Sequence, residues 1–195
     1  GYKTVSIENK RLKKKYPQTK IDLNAIAQGY TTDKISELLI SKDIKNFIVD
    51  ITGEVRASGK KENNKSWLCA IEQPSDSANQ ERQYDTYIEL NNSSIVTSGS
   101  YRKYYVDENG EKKSHTIDPK TGKSVEHTLL SVSVITENAI LADGLATSFM
   151  VMGLEKAKEF LKDYPDLKAH FIYWENNQYQ TYTTANLINS LKSLN

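Results

Sequence analysis

Cysteine is almost missing from this chain: Cys69 is the single one among 195 residues. That excludes an internal disulfide framework and a multi-cysteine metal site. Cys69 lies in the strand-like run Trp67-Leu68-Cys69-Ala70-Ile71, with no base nearby in sequence, and reads as a buried, inert thiol. An excess of one charge is missing too. The 26 Lys and Arg nearly cancel the 25 Asp and Glu, leaving +1. Nucleic acid is therefore not an expected partner. The basic run Lys10–Lys15 reads as a solvated strand end or loop. No stretch approaches the roughly 18 apolar residues of a membrane span, and no internal repeat or signal peptide is visible. The chain opens on Gly1-Tyr2-Lys3 without Met, so the expectation is that a segment precedes it.

What is present is a globular composition. Hydrophobic residues make up 37% and charged residues 26% of the chain, enough for one domain over 1–195 with a real core. Strands are expected at Phe47–Ile51, Glu54–Ser58, Trp67–Ile71, Thr86–Leu90, Tyr101–Val106, Lys113–Ile117, Leu129–Ile135, Ala169–Trp174 and Gln178–Thr183. Thr52-Gly53, Asn109-Gly110 and Asn176-Asn177 supply tight turns between them. Helices are expected at Asn24–Ile40, capped by Asn24, at Asn138–Met152 and Leu154–Tyr164, divided by Gly153, and at Ala185–Leu194. Strands arranged as hairpins rather than alternating βαβ units argue an α+β fold with mainly antiparallel sheet. Polar Gln73–Gln83 is a surface loop.

Four segments could carry chemistry. In Ile21–Tyr30 an extended stretch runs into a helix start, where unpaired N–H groups and the macrodipole favour a phosphate or carboxylate. Ala25 and Gly29 keep that surface low. An ordinary capped helix, with Asp22 as accessory acceptor, is the simpler reading of these residues alone. Ser94–Tyr101 places hydroxyls around Gly99 at a strand end, and a plain turn is the simpler reading. In His115–Gly122 the Asp118-Pro119 pair and Gly122 are turn chemistry. His115, before the turn, is placed to take a proton from a hydroxyl near neutral pH. His127 and His170 lack such a setting and read as structural. In Leu141–Thr147, Asp143 and Thr147 share one helix face, an oxygen pair suited to Mg²⁺. An exposed helical pair is the competing reading. Leu141, Leu145, Phe149 and Met152 are expected to pack the opposite side, while Ala142, Gly144 and Ala146 allow close helix approach.

These segments, in this order, resemble the ApbE family of FAD:protein FMN transferases. Ile21–Tyr30 matches the family's run toward Ile-Ala-Lys-Gly-Tyr, and Thr97–Tyr101 its Thr-Ser-Gly-x-Tyr. His115–Gly122 matches His-x-x-Asp-Pro-x-Thr-Gly, and Ala142–Thr147 matches Ala-Asp-x-x-Ala-Thr. Asp50-Ile51-Thr52-Gly53-Glu54 looks like the family's strand-glycine-acid segment.

The resemblance implies a T-fold-related domain that lacks the family's N-terminal third. It implies FAD as substrate, Mg²⁺ as cofactor and transfer of FMN to a threonine hydroxyl of an acceptor protein of the respiratory-complex type, releasing AMP. FAD hydrolysis to FMN and AMP, or FAD carriage without transfer, are the alternatives. Carried over by residue, Ala25 (through its carbonyl), Asp143 and Thr147 ligate the metal. Asp22, Gln28, Ser98 and Ile117 line the FAD site, and His115 is the base. Two positions depart from the pattern: Gln28 stands where lysine is frequent, and Ile140 where some members carry an acid. The family also suggests the periplasmic face of the inner membrane, a lipoprotein anchor and a possible dimer.

Overall fold

The computed structural model describes residues 2–74, 83–100, 104–106, 112–114 and 116–193. Thirteen strands and four α-helices are assigned there. An N-terminal hairpin pairs β1 (Val5–Glu8) with β2 (Arg11–Lys14), and every residue of β2 is exposed, as the basic run predicts. Helix α1 (Ala27–Ser41) precedes β3 (Phe47–Ile51), β4 (Glu54–Ser58), β5 (Trp67–Glu72), β6 (Tyr84–Leu90) and β7 (Ser93–Gly99). Strands β8 (Tyr104–Val106), β9 (Lys112–Ser114) and β10 (Leu129–Thr136) lead to helices α2 (Ala139–Met152) and α3 (Leu154–Asp163). The chain continues through β11 (Lys168–Glu175), β12 (Gln178–Thr183), α4 (Ala185–Ile188) and β13 (Leu191–Ser193).

The main sheet has six strands in the order β12-β11-β10-β7-β4-β3, every neighbouring pair antiparallel. Side chains alternate between its two faces. Val96, Val132, Val134, Ala169 and Phe171 meet Ala142, Ala146, Phe149 and Met150 of α2 in one core. On the other face Val55, Ala57, Ile95 and Ile135 meet Ile71, Ile88 and Leu90 of the three-stranded sheet β13-β6-β5, with Leu187 of α4. The result is a helix layer, a central sheet and a small second sheet, an α+β architecture.

Several local expectations are met. The Thr52-Gly53 hairpin joins β3 to β4, and Asn176 and Asn177, both at positive φ, join β11 to β12. Gly153 divides α2 from α3 at φ +76, a conformation glycine adopts without steric cost. The Asp118 turn closes through Gly122 N–H to the Asp118 carbonyl at 2.8 Å and Lys120 N–H to its carboxylate at 2.8 Å. His127 donates from Nε2 to the Met150 carbonyl at 2.6 Å, and His170 Nδ1 meets Thr183 Oγ1 at 2.7 Å, both structural contacts. Asn109-Gly110 lies outside the described residues.

Other expectations are corrected. Helix α1 starts at Ala27, not Asn24, and Asn24 is not its cap. The Asn24 N–H is instead held by the Asp22 carboxylate at 2.8 Å, a local turn that competes with the helix. Tyr30 and Leu38 are 50% and 57% exposed, while Gly29, Thr32, Asp33 and Ser36 are buried. In α2 Leu141 is 50% exposed rather than packed, while Ala142 and Ala146, with Ala139, are buried on the close face that was expected. The two helices bury small and polar residues because they meet each other closely there. Segment Ser93–Gly99 is a central strand, not a turn, fixed by β4 on one side and β10 on the other. The last helix ends at Ile188, and Leu191–Ser193 pairs with β6 instead. Cys69 is half-buried rather than buried, and desolvation, helped by the Asp50 charge, pushes its thiol up to about 11, which keeps it inert.

Candidate functional site

The site forms where α1 begins, the β3–β4 hairpin turns and the first half of α2 passes. Gly29 is the point of closest approach. A Cβ there would stand 2.5 Å from the Ala139 carbonyl oxygen and 2.8 Å from the Asp143 Cβ, so only glycine fits without a shift. This closeness lets Gly29 N–H donate to Asp143 Oδ2 at 2.9 Å, 114 positions away in sequence.

Gly29 is the third residue of α1, so its N–H is one of the helix-start donors with no partner inside the helix, and Asp143 supplies the acceptor. Among the described residues no backbone N–H donates to the Ala25 carbonyl. Asp143 Oδ1 has no hydrogen-bond donor among them either. One turn further along α2, Thr147 Oγ1 lies 3.3 Å from Ser98 Oγ of β7. Across the gap the Gln28 amide donates to Thr52 Oγ1, whose hydroxyl donates to Glu54 Oε2 at 3.3 Å.

Among the described residues the site gathers negative charge. Asp143 is 5% exposed and Glu54 8%. Burial raises the Asp143 carboxyl above its ordinary value, against the opposing Gly29 N–H. Burial, followed by the Asp143 charge, pushes Glu54 from 4.5 up to about 7, and Asp50 adds a further negative charge. No group of three His, Cys, Asp or Glu side chains gathers among the described residues. The available donors are instead one carboxylate, one hydroxyl and one main-chain carbonyl. This hard-oxygen set suits Mg²⁺, which keeps several waters and substrate oxygens. A cation would also relieve the carboxylate pair.

Glu54 gives a pH prediction for the metal-free protein. Its folded pKa of about 7 exceeds the ordinary 4.5, so the folded state holds the proton more tightly than the unfolded state. The stability it contributes is complete below about 4.5 and is lost as pH rises through about 7. Thermal melts in chelator should show the melting temperature falling across that window. Glu54→Gln should flatten the fall, and an unchanged slope in the variant would assign it to other groups.

The structure brings together Gln28, Ser98, Asp143, Thr147 and the Ala25 carbonyl's helix start. Asp22 is exposed at the approach to α1 and engaged with Asn24. Ile117 is exposed beside the Asp118 turn and bridged to Ser124. His115 lies outside the described residues, as does Tyr101. Sequence reading gave no role to Thr52 or Glu54, although the Asp50–Glu54 segment was visible as a family-like stretch. Asp33 was missed altogether, since nothing local marks a mid-helix aspartate as a partner for another helix.

Comparison with known proteins identifies the family and the fold. Residues 1–171 match the ApbE family. A Haemophilus influenzae protein named FAD:protein FMN transferase is 38% identical over 178 residues, 91% of this chain and 50% of that protein. The Escherichia coli K12 protein of the same name is 35% identical over 171 residues, 88% of this chain and 47% of that protein. The chain thus spans about half the length of these relatives. The flavin transferase ApbE from Vibrio cholerae superposes with a TM-score of 0.84 at 32% identity, over 97% of this chain and 59% of that one. The apo flavinyl transferase ApbE from Pseudomonas stutzeri gives 0.83 at 33%, over 97% and 57%. This chain belongs to the ApbE family.

Proposed function

We propose that this chain forms the metal-binding part of a Mg²⁺-dependent flavin transferase, which moves FMN from FAD to a threonine hydroxyl of an acceptor protein and releases AMP. The observation that carries the reading is the Gly29–Asp143 bond, which holds the start of α1, where the Ala25 carbonyl lies, against Asp143, with Thr147 one turn along α2. The name of the relatives, FAD:protein FMN transferase, supports FAD as the substrate and a protein as the acceptor.

In the proposed reaction the acceptor oxygen attacks the phosphorus of the FMN half. A new O–P bond forms, the pyrophosphate P–O bond breaks, and AMP leaves with the electron pair. When bound, Mg²⁺ neutralises charge on the phosphate oxygens. The chain's own residues do the rest. Asp143, Thr147 and the Ala25 carbonyl hold the cation. Ser98 and Gln28 fix the neighbouring hydroxyls Thr147 and Thr52, while Asp22 and Ile117 contact FAD. His115 takes the proton from the attacking hydroxyl. We also propose a place on the periplasmic face of the inner membrane, under a lipoprotein anchor, and assembly as a dimer. Membrane fractionation tests that placement.

The experiment is incubation of the full-length protein with FAD and Mg²⁺, with and without a threonine-bearing acceptor. Transfer predicts AMP and covalent flavin together, and both only with acceptor. AMP without acceptor would replace the reading by FAD pyrophosphatase activity. FAD bound one to one with no AMP would replace it by a flavin carrier, a reading to which the uncharged Gln28 lends some weight.

A further inference from the structure

Helix α2 carries no side-chain cap of its own. Asn138, the residue before it, makes no capping bond, although the first N–H groups of a helix have no internal partner. Those groups are satisfied from another helix. The Asp33 carboxylate of α1 accepts Ala139 N–H at Oδ1 and Ile140 N–H at Oδ2, both at 2.9 Å. Arg56 of β4 donates to the same carboxylate at 2.6 Å, with the Asp33 side chain 6% exposed and the Arg56 side chain 20%. One carboxylate therefore ties α1, β4 and α2 together.

Asp33 and Gly29 are four apart on α1 and share a face. Ala139 and Asp143 are four apart on α2 and also share a face. The two contacts form a two-rung ladder: Gly29 to Asp143, and Asp33 to Ala139 and Ile140. Thr147 follows one further turn along. The lower rung sets the height and rotation of the helix, and the upper rung turns Asp143 so that Oδ1 faces away from Gly29.

We propose that Asp33, held by Arg56, is a positioning residue for the cation site: it fixes α2 so that Asp143 and Thr147 present their oxygens beside the Ala25 carbonyl. This rests on the metal reading above. An ordinary helix cap would contribute stability alone. A positioning residue must also change how the folded protein binds a cation.

The test is Mn²⁺ titration of the full-length protein, followed by electron paramagnetic resonance well below the melting temperature. Asp33→Asn keeps the size but only one acceptor oxygen, and Arg56→Lys keeps the charge but loses the planar fork. Both should fold, and Asp33→Asn should weaken Mn²⁺ binding at least about 10-fold, as loss of an outer-shell partner does. The Gly29 amide proton, recorded without metal, should move as its bond to Asp143 loosens. Unchanged Mn²⁺ affinity and an unchanged Gly29 resonance, with only the melting temperature lowered, would overturn the proposal and leave Asp33 a structural cap. Wild-type protein that takes up no Mn²⁺ would overturn the metal reading, and this inference with it, so the wild-type titration tells the two failures apart.

Discussion

Asp143→Ala should reduce FMN transfer by more than about 100-fold, beyond the usual cost of losing an outer-shell partner of a metal site. It should leave the fold standing. Two stability effects oppose each other in the variant. The Gly29 N–H loses its carboxylate acceptor at 2.9 Å, a contribution of about 1.5–3 kcal/mol for a bond to a charged group. Against the loss, a buried carboxylate disappears and with it the negative charge that helps push Glu54 up to about 7. The melting temperature should therefore change little while activity collapses. In-gel fluorescence of covalent flavin and a thermal melt, made on the same sample, check both halves. A variant with more than a tenth of wild-type transfer would remove Asp143 from the metal site.

Gly29→Val should act on stability first. The new Cβ would meet the Ala139 carbonyl oxygen at 2.5 Å and the Asp143 Cβ at 2.8 Å, and the first obstacle is backbone, which cannot rotate away. Overpacking a core costs about 1–3 kcal/mol, and the branched side chain at a backbone contact places this variant at the upper end. For a chain of this size that is a fall of roughly 6–12 °C in melting temperature. The better helix propensity of valine over glycine returns only a few tenths of a kcal/mol, about 0.3–0.5. The same displacement separates α1 from α2, so Mg²⁺ dependence should shift to higher concentrations. A variant melting within about a degree of wild type would show that the helices have room to part.

The hairpins were legible because their signals are local. Phe47–Ile51, Thr52-Gly53 and Glu54–Ser58 form strand, turn and strand where the residues say so. Helix α2 was legible as a helix and in most of its orientation, since Phe149 packs in the core and Ala142 and Ala146 form its close face. Counting large apolar residues also points Leu141 inward, and there it fails, because Leu141 is 50% exposed. The same error recurs in α1, whose buried face is Gly29, Thr32, Asp33 and Ser36. Thr32 is accepted there because its hydroxyl reaches the Glu54 carbonyl at 3.1 Å. Strand β7, rich in Ser and Thr, looked like a turn because its pairing comes from β4 and β10, distant in sequence.

The site divides along the same line. Asp143, Thr147, Ser98 and Gln28 were readable as residue types in family-like segments. Glu54 and Asp33 were not, because their roles depend on long-range partners: the charge of Asp143 for the one, the N–H groups of Ala139 and Ile140 for the other. Part of the reading is thus local pattern, and the rest is the meeting of α1, α2 and the β3–β4 turn.

The central claim is that the oxygens gathered at that meeting hold a Mg²⁺ without which FMN does not move. The most direct measurement is mass spectrometry of an acceptor protein after reaction with the full-length protein and FAD, in Mg²⁺ or in excess chelator. The account predicts that the acceptor gains the mass of one FMN on a threonine in Mg²⁺, with equimolar AMP, and gains nothing in chelator. Undiminished flavin attachment in chelator would contradict it.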